Sequence, residues 1–175
     1  MNKAIFLDRD GTINVEKDYI YKCEDLVFEE GSVEALKTFK NLGYILIVVS
    51  NQSGIARGYF TEEDLKAFNN NMNEKLKEEA VEITEFYCCP HHPDGLAEYK
   101  KVCDCRKPNN KMLEDAIEKY NIDREKSYMI GDKASDIGAG LKSKLKTVLV
   151  KTGYGLKDME KIDKNVYVKL ENKNP

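Results

Sequence analysis

Five short, largely apolar runs punctuate the chain, at residues 3–7, 44–49, 84–87, 127–130 and 146–150. Runs of this length with little polar alternation predict strands buried on both faces, as in a parallel sheet. Between them the apolar positions recur at helical spacing. Val33, Leu36, Phe39 and Leu42 share one face of a helix that Gly43 ends. Thr61 followed by Glu62, Glu63 and Asp64 predicts the start of a second helix, with a hydroxyl cap and acids in the first turn. Two further helices are predicted over 111–120 and 135–142. Strands alternating with helices imply an α/β fold, a Rossmann-like parallel sheet with helices on both faces. One domain is expected across residues 1–175. Only about twenty residues separate Thr12 from the first helix, too few for a large cap domain. Residues 156–175 read as a polar C-terminal extension in which Val166-Tyr167-Val168 is a candidate edge strand.

Composition narrows the function classes. Hydrophobic content of 41% and charged content of 34% suit an ordinary soluble globular protein. A net charge of −3 argues against a nucleic-acid partner held by bulk electrostatics, but says little about a small anionic substrate. The strongest apolar run, 44–49, is far short of a membrane span, and the first residues lack the basic and long apolar regions of a signal peptide. A cytoplasmic location is therefore expected, and there thiols stay reduced. The five cysteines need a reason other than disulfides, and four of them lie within 88–105 beside both histidines of the chain.

Ligands of open parallel sheets bind beyond the carboxyl ends of the strands. The residues just past the predicted strands are Asp8-Arg9-Asp10-Gly11-Thr12, Ser50-Asn51-Gln52-Ser53 and Gly131-Asp132-Lys133, while the Cys-rich loop leads into Arg106-Lys107-Pro108. Carboxylates, a hydroxyl and cations on one edge make the inventory of phosphoryl transfer. An ionised carboxylate attacks phosphorus and forms an acyl phosphate. A second carboxylic acid two residues on protonates the leaving oxygen and then deprotonates the attacking water. Two anions facing a phosphate call for a divalent cation, and hard oxygen ligands suit Mg²⁺. Ser50 and Lys107 would hold the transferring oxygens. Arg9 and Arg57 are further cations near this edge, or else solvated surface charges.

Asp8-x-Asp10-Gly11-Thr12, Ser50-Asn51, Lys107 and Gly131-Asp132-x-x-x-Asp136 match, in order, the four motifs of haloacid-dehalogenase-like phosphatases, which the chain resembles. The resemblance implies that Asp8 is the nucleophile and Asp10 the general acid/base. It also implies magnesium held by Asp8, the backbone carbonyl of Asp10 and Asp132, with Asp136 in support.

Cys89-Pro90-His91 and Cys103-Asp104-Cys105 together offer three thiolates and an imidazole. That set predicts a closed tetrahedral Zn²⁺ site, structural rather than catalytic, in a loop spanning 89–105. His92 is an alternative to His91, Cys88 reads as a small buried hydrophobe, and Cys23 has no assigned role.

Residues 8–14, 50–58, 89–93, 102–108 and 128–133 further resemble the D-glycero-D-manno-heptose 1,7-bisphosphate phosphatases, a likeness that spans roughly residues 3–154. It implies zinc ligands Cys89, His91, Cys103 and Cys105, and substrate contacts at Ser50, Asn51, Gln52, Ser53, Arg106, Lys107 and Lys133. Glu16, Lys17, Asp18 and Tyr19 would form part of the entrance. One departure is Ser50, where threonine is common, though the hydroxyl is kept. The expected partner is a small sugar bisphosphate, the expected reaction removal of its 7-phosphate, and the expected state a monomer. Histidinol-phosphate phosphatases share the four motifs and a zinc loop, usually with fewer residues between the histidine and the cysteine pair. A less selective sugar-phosphate phosphatase is a related alternative. A phospho-accepting receiver-like module is the non-enzyme alternative, against which Asp10 argues because an acid/base makes the intermediate hydrolyse. A zinc-binding nucleic-acid module is disfavoured by the single zinc motif and negative charge.

Overall fold

The computed structural model describes residues 1–162, so the expected strand at 166–168 lies outside the described residues. Five strands form one parallel sheet: β1 (Ala4–Leu7), β2 (Ile45–Asn51), β3 (Glu85–Cys89), β4 (Tyr128–Gly131) and β5 (Lys146–Leu149), in the order β3-β2-β1-β4-β5. The helices are α1 (Ser32–Asn41), α2 (Ser53–Ala56), α3 (Glu62–Glu78), α4 (Lys111–Tyr120), α5 (Ala134–Lys142) and α6 (Gly155–Asp158).

Both faces of the sheet are buried, which is why the strands read as nearly continuous apolar runs. Ile5, Leu7, Leu46 and Val48 pack with Leu36 of α1 and with Phe68, Met72 and Leu76 of α3. The alternate residues Ala4, Phe6, Ile47 and Val49 pack with Met112, Leu113, Ala116 and Ile117 of α4 and with Ala139 of α5. The expected cap of α3 is present as a reciprocal pair. Thr61 Oγ1 accepts from the Asp64 amide at 3.1 Å, and Asp64 Oδ2 accepts from the Thr61 amide at 2.8 Å.

Three features depart from the pattern-based expectation. Strand β2 runs on through Ser50 and Asn51, which pair with Cys88 and Cys89 of β3, because polar residues at a strand end carry no apolar signal. Helix α2 is too short for periodicity to reveal. The start of the supposed extension is structured: α6 brings Asp158 against α5, where its Oδ2 accepts from the Ala134 amide at 2.9 Å and caps that helix.

Between β1 and α1 the chain carries one short 3₁₀ turn, Cys23–Asp25, and no inserted domain. Among the described residues no helix is long and apolar enough to cross a membrane. Because β1 crosses over to β2 on one side and β4 to β5 on the other, the adjacent carboxyl ends of β1 and β4 form the topological switch point.

Candidate active site and cysteine cluster

Asp8 follows β1 and Asp132 follows β4, so the switch point places two carboxylates side by side, and α5 adds Asp136. One oxygen from each of the three lies within 4.8 Å of the others, and all three residues are buried. Burial and the nearby Asp8 charge push Asp132 up to about 7 and Asp136 up to about 6. Burial also opposes the charge on Asp8, but the ammonium groups of Lys107 and Lys133 outweigh it and hold Asp8 below the usual carboxylate value. Asp132 Oδ1 is buried without a hydrogen-bond partner, and its other oxygen accepts from the Tyr154 amide at 2.8 Å. An orphaned carboxylate oxygen beside another buried acid fits a hard divalent cation such as Mg²⁺. The neighbouring loops close tightly on this point. A Cβ at Gly11 (φ +80°) would meet Asp132 Oδ2 at 2.4 Å, and one at Gly153 (φ +53°) would meet it at 2.3 Å.

Lys107 enters from the Cys-rich loop and is almost fully enclosed. Its Nζ contacts Asp8 Oδ1 at 3.0 Å, Asp136 Oδ1 at 2.6 Å and the Val49 carbonyl at 2.6 Å. Asn51 aims it: its amide donates to the Lys107 carbonyl at 3.0 Å and its carbonyl accepts from the Lys107 amide at 3.0 Å. Both ends of the Asn51 side chain thereby hold the loop that carries Lys107, and Asn51 also lines the cleft above it. Ser50 is buried beside Asp8 and Lys107, its Oγ accepting from Gln52 Nε2 at 2.8 Å.

The carboxylate of Asp10 accepts from Arg9, Asn14 and Gln52, and Asp10 shares the lining of a small cavity with Asp8 and Asp136. Arg9 is no surface charge: it is fully buried, the largest such side chain in the protein among the described residues.

Above the trio opens a cleft of about 300 Å³ whose lining includes Glu16, Asp18, Tyr19, Ser53, Arg106 and Lys133. Lys133 Nζ lies 3.2 Å from Glu16 Oε2 and 4.0 Å from Asp8 Oδ2, linking entrance and centre. Lys17 is not brought to this cleft. It is exposed and donates to the Asp25 carbonyl at 2.9 Å, just before the bend at Asp18 and Tyr19.

The four expected metal ligands meet at the far end of the loop. Cys89 Sγ lies 3.0 Å from Cys105 and 3.5 Å from Cys103, and His91 Nδ1 lies 3.3 Å from Cys105 Sγ. His92 instead points its Nδ1 at the Asp94 amide, at 3.1 Å, which leaves His91 as the clustered imidazole. Three thiols converging on one imidazole nitrogen fit a tetrahedral zinc ion.

A HAD-hydrolase-like family model matches residues 104–169. The D-glycero-beta-D-manno-heptose-1,7-bisphosphate 7-phosphatase of Haemophilus influenzae is 48% identical over 154 residues, covering 87% of this chain and 84% of its own. The enzyme of the same name from Escherichia coli K12 is 45% identical over 152 residues, covering 86% and 80%. Among solved structures, the D,D-heptose 1,7-bisphosphate phosphatase of B. bronchiseptica, complexed with magnesium and phosphate, superposes with a TM-score of 0.82 at 31% identity, covering 91% of this chain and 86% of that one. The chain belongs to this phosphatase family.

Against the family's motifs, four site residues escaped the sequence reading. Arg9 was seen only as an ambiguous cation, and Asn14, Asn69 and Tyr154 were not singled out at all. Asn14 carries a faint signal, an amide between Ile13 and Val15, whereas Asn69 opens the run Asn69-Asn70-Asn71 and carries none. Tyr154 had none, because it reaches Asp132 through its backbone amide.

Proposed function

We propose that this phosphatase removes the 7-phosphate of D-glycero-β-D-manno-heptose 1,7-bisphosphate in a Mg²⁺-dependent reaction through a phospho-Asp8 intermediate. The observation that carries this reading is near-full-length identity of 45–48% to enzymes of that name, coupled with the ionised Asp8 between Lys107 and Lys133. Asp8 attacks phosphorus while Asp10 gives its proton to the departing sugar oxygen. Water then attacks the phosphoryl group, Asp10 takes the water's proton, and inorganic phosphate leaves with Asp8 restored. Ser50 and Lys107 hold the transferring oxygens, and Asp136 holds Lys107. Asp8, Asp132 and the backbone carbonyl of Asp10 hold the magnesium, which supplies positive charge to the phosphoryl group. Gln52, Ser53, Arg106, Lys133 and the entrance residues Glu16, Asp18 and Tyr19 bind the remainder of the substrate.

Cys89, His91, Cys103 and Cys105 hold a structural zinc that fixes the loop carrying Arg106 and Lys107. The chain works as one catalytic domain, as a monomer in the cytoplasm. Phosphate release from a panel containing both heptose bisphosphate anomers and histidinol phosphate tests the assignment. The highest kcat/KM is expected for the β bisphosphate, and preference for histidinol phosphate overturns it.

A further inference from the structure

The carboxylate of Asp10 accepts two hydrogen bonds on each oxygen. Oδ1 takes Arg9 Nε and Asn14 Nδ2, both at 3.0 Å. Oδ2 takes Arg9 Nη2 at 3.0 Å and Gln52 Nε2 at 2.9 Å. Arg9 is itself anchored on every side. Its Nη1 donates to Asn69 Oδ1 at 3.0 Å, its Nη2 also donates to the Ile20 carbonyl at 3.1 Å, and its flat face lies 4.4 Å from the centre of the Phe68 ring. Asp10 is the only carboxylate within ion-pair reach of this arginine among the described residues.

Arg9 is wholly buried and the Asp10 side chain is only 13% exposed, and an ion pair so far removed from water is a poor way to stabilise a core. Its desolvation offsets most of the attraction, and apolar side chains of similar volume often serve as well or better. The arginine therefore calls for a reason in the chemistry of the carboxylate it grips. We infer that Arg9, backed by Asn69, is a positioning residue that fixes the plane of the Asp10 carboxylate for proton delivery to the leaving oxygen. The inference rests on the reading of Asp10 as acid/base.

Two parallel bonds from one rigid guanidinium set a carboxylate's plane, whereas a single ammonium leaves it free to turn. Proton transfer is sensitive to that angle, because only an aligned donor shares its proton as the ester bond breaks. Arg9 gives up no proton in either half-reaction. When Asp10 carries its proton, one neutral donor must yield, and Gln52 can do so because its Nε2 already donates to Ser50 Oγ at 2.8 Å. The O–H bond of Asp10 then breaks as the sugar O–H forms, the phosphorus–sugar oxygen bond breaks and the phosphorus–Asp8 bond forms.

The test exploits leaving groups. A sugar phosphate needs a proton on its departing oxygen, whereas p-nitrophenolate departs without one. kcat/KM is measured for the heptose bisphosphate and for p-nitrophenyl phosphate with wild type, Arg9→Met, Arg9→Lys, Asn69→Ala and Asp10→Asn. Arg9→Met is expected to lose about 100-fold or more on the sugar ester and only about threefold on the aryl ester, within the span of lost general acid catalysis. Arg9→Lys, which keeps the charge but not the two-pronged grip, is expected to recover little of the loss. Equal losses on both esters for Arg9→Met, or full recovery with lysine, overturn the inference. If Arg9→Met gives no cooperative melt, Asn69→Ala decides. The same selective loss, smaller in size, supports the inference, and an equal loss or none overturns it. An Asp10→Asn variant that loses equally on both esters removes the acid role of Asp10 and the inference with it. Selective loss there, with equal loss in Arg9→Met, overturns the inference alone.

Discussion

Lys107 Nζ lies 3.0 Å from Asp8 Oδ1, with side-chain exposures of 1% and 6%. The same ammonium also neutralises Asp136, so one lysine serves two buried acids. Lys107→Met leaves both without that counter-charge. Turnover should fall by about 10²–10³-fold, the scale for losing one stabilising donor at a transferring oxygen. Stability should fall by about 3–5 kcal/mol, the scale for breaking a buried pair. Steady-state kinetics and denaturant titration measure the two effects separately, and unchanged turnover with lost stability would confine Lys107 to architecture.

Asp8→Asn keeps the shape of the site and removes the attacking charge, so turnover should drop to background. Beryllium fluoride or mass labelling of the wild type should mark Asp8. A label on another carboxylate would sink the proposed intermediate.

Magnesium binding should weaken in acid. Without a cation Asp132 is pushed up to about 7, so below that pH it carries a proton and is lost as a ligand. Since the metal must displace that proton, its dissociation constant should rise about tenfold per pH unit below 7 and level off above it. Calorimetric titration between pH 5.5 and 8 checks this, and an affinity independent of pH would show that Asp132 stays ionised without the metal. Excess EDTA should abolish activity, and added Mg²⁺ should restore it.

Zinc should behave differently. About one tightly held ion per chain should survive gel filtration, as expected for a closed four-ligand site. Cys103→Ser should lose it and lower activity, because Arg106 and Lys107 leave the cluster directly after Cys105. Elemental analysis of the purified protein that finds no zinc would dispose of the structural-metal proposal.

Arg106 lines the cleft and donates to the His91 carbonyl at 3.3 Å, which ties the cation proposed for the remote phosphate to the cysteine-rich loop. Arg106→Ala should reduce kcat/KM for the bisphosphate by about 1.5–3 kcal/mol, the range for a hydrogen bond to a charged group. Monophosphate esters should lose much less. Equal losses would assign Arg106 to the scissile phosphate.

What was legible in the sequence was whatever depends on neighbours along the chain. The apolar runs disclosed the strands because both sheet faces are buried, and Asp8 and Asp132 were legible because Asp8 directly follows one such run and Asp132 follows another after Gly131. The cluster of Cys89, His91, Cys103 and Cys105 was legible through the rarity and close spacing of cysteine and histidine. Only the tertiary structure decided the relationships made by distant residues. It closed the Asn51–Lys107 bracket across 56 positions and joined Lys107 to Asp136. It turned Lys17 outward although its neighbours Glu16 and Asp18 line the cleft. It buried Arg9 between Asn69, Phe68 and the Ile20 carbonyl, where an unassisted charge would not stay. A charged side chain has no periodic signature. Whether it faces water or a carboxylate is set by which partners the rest of the fold brings within 3 Å or so.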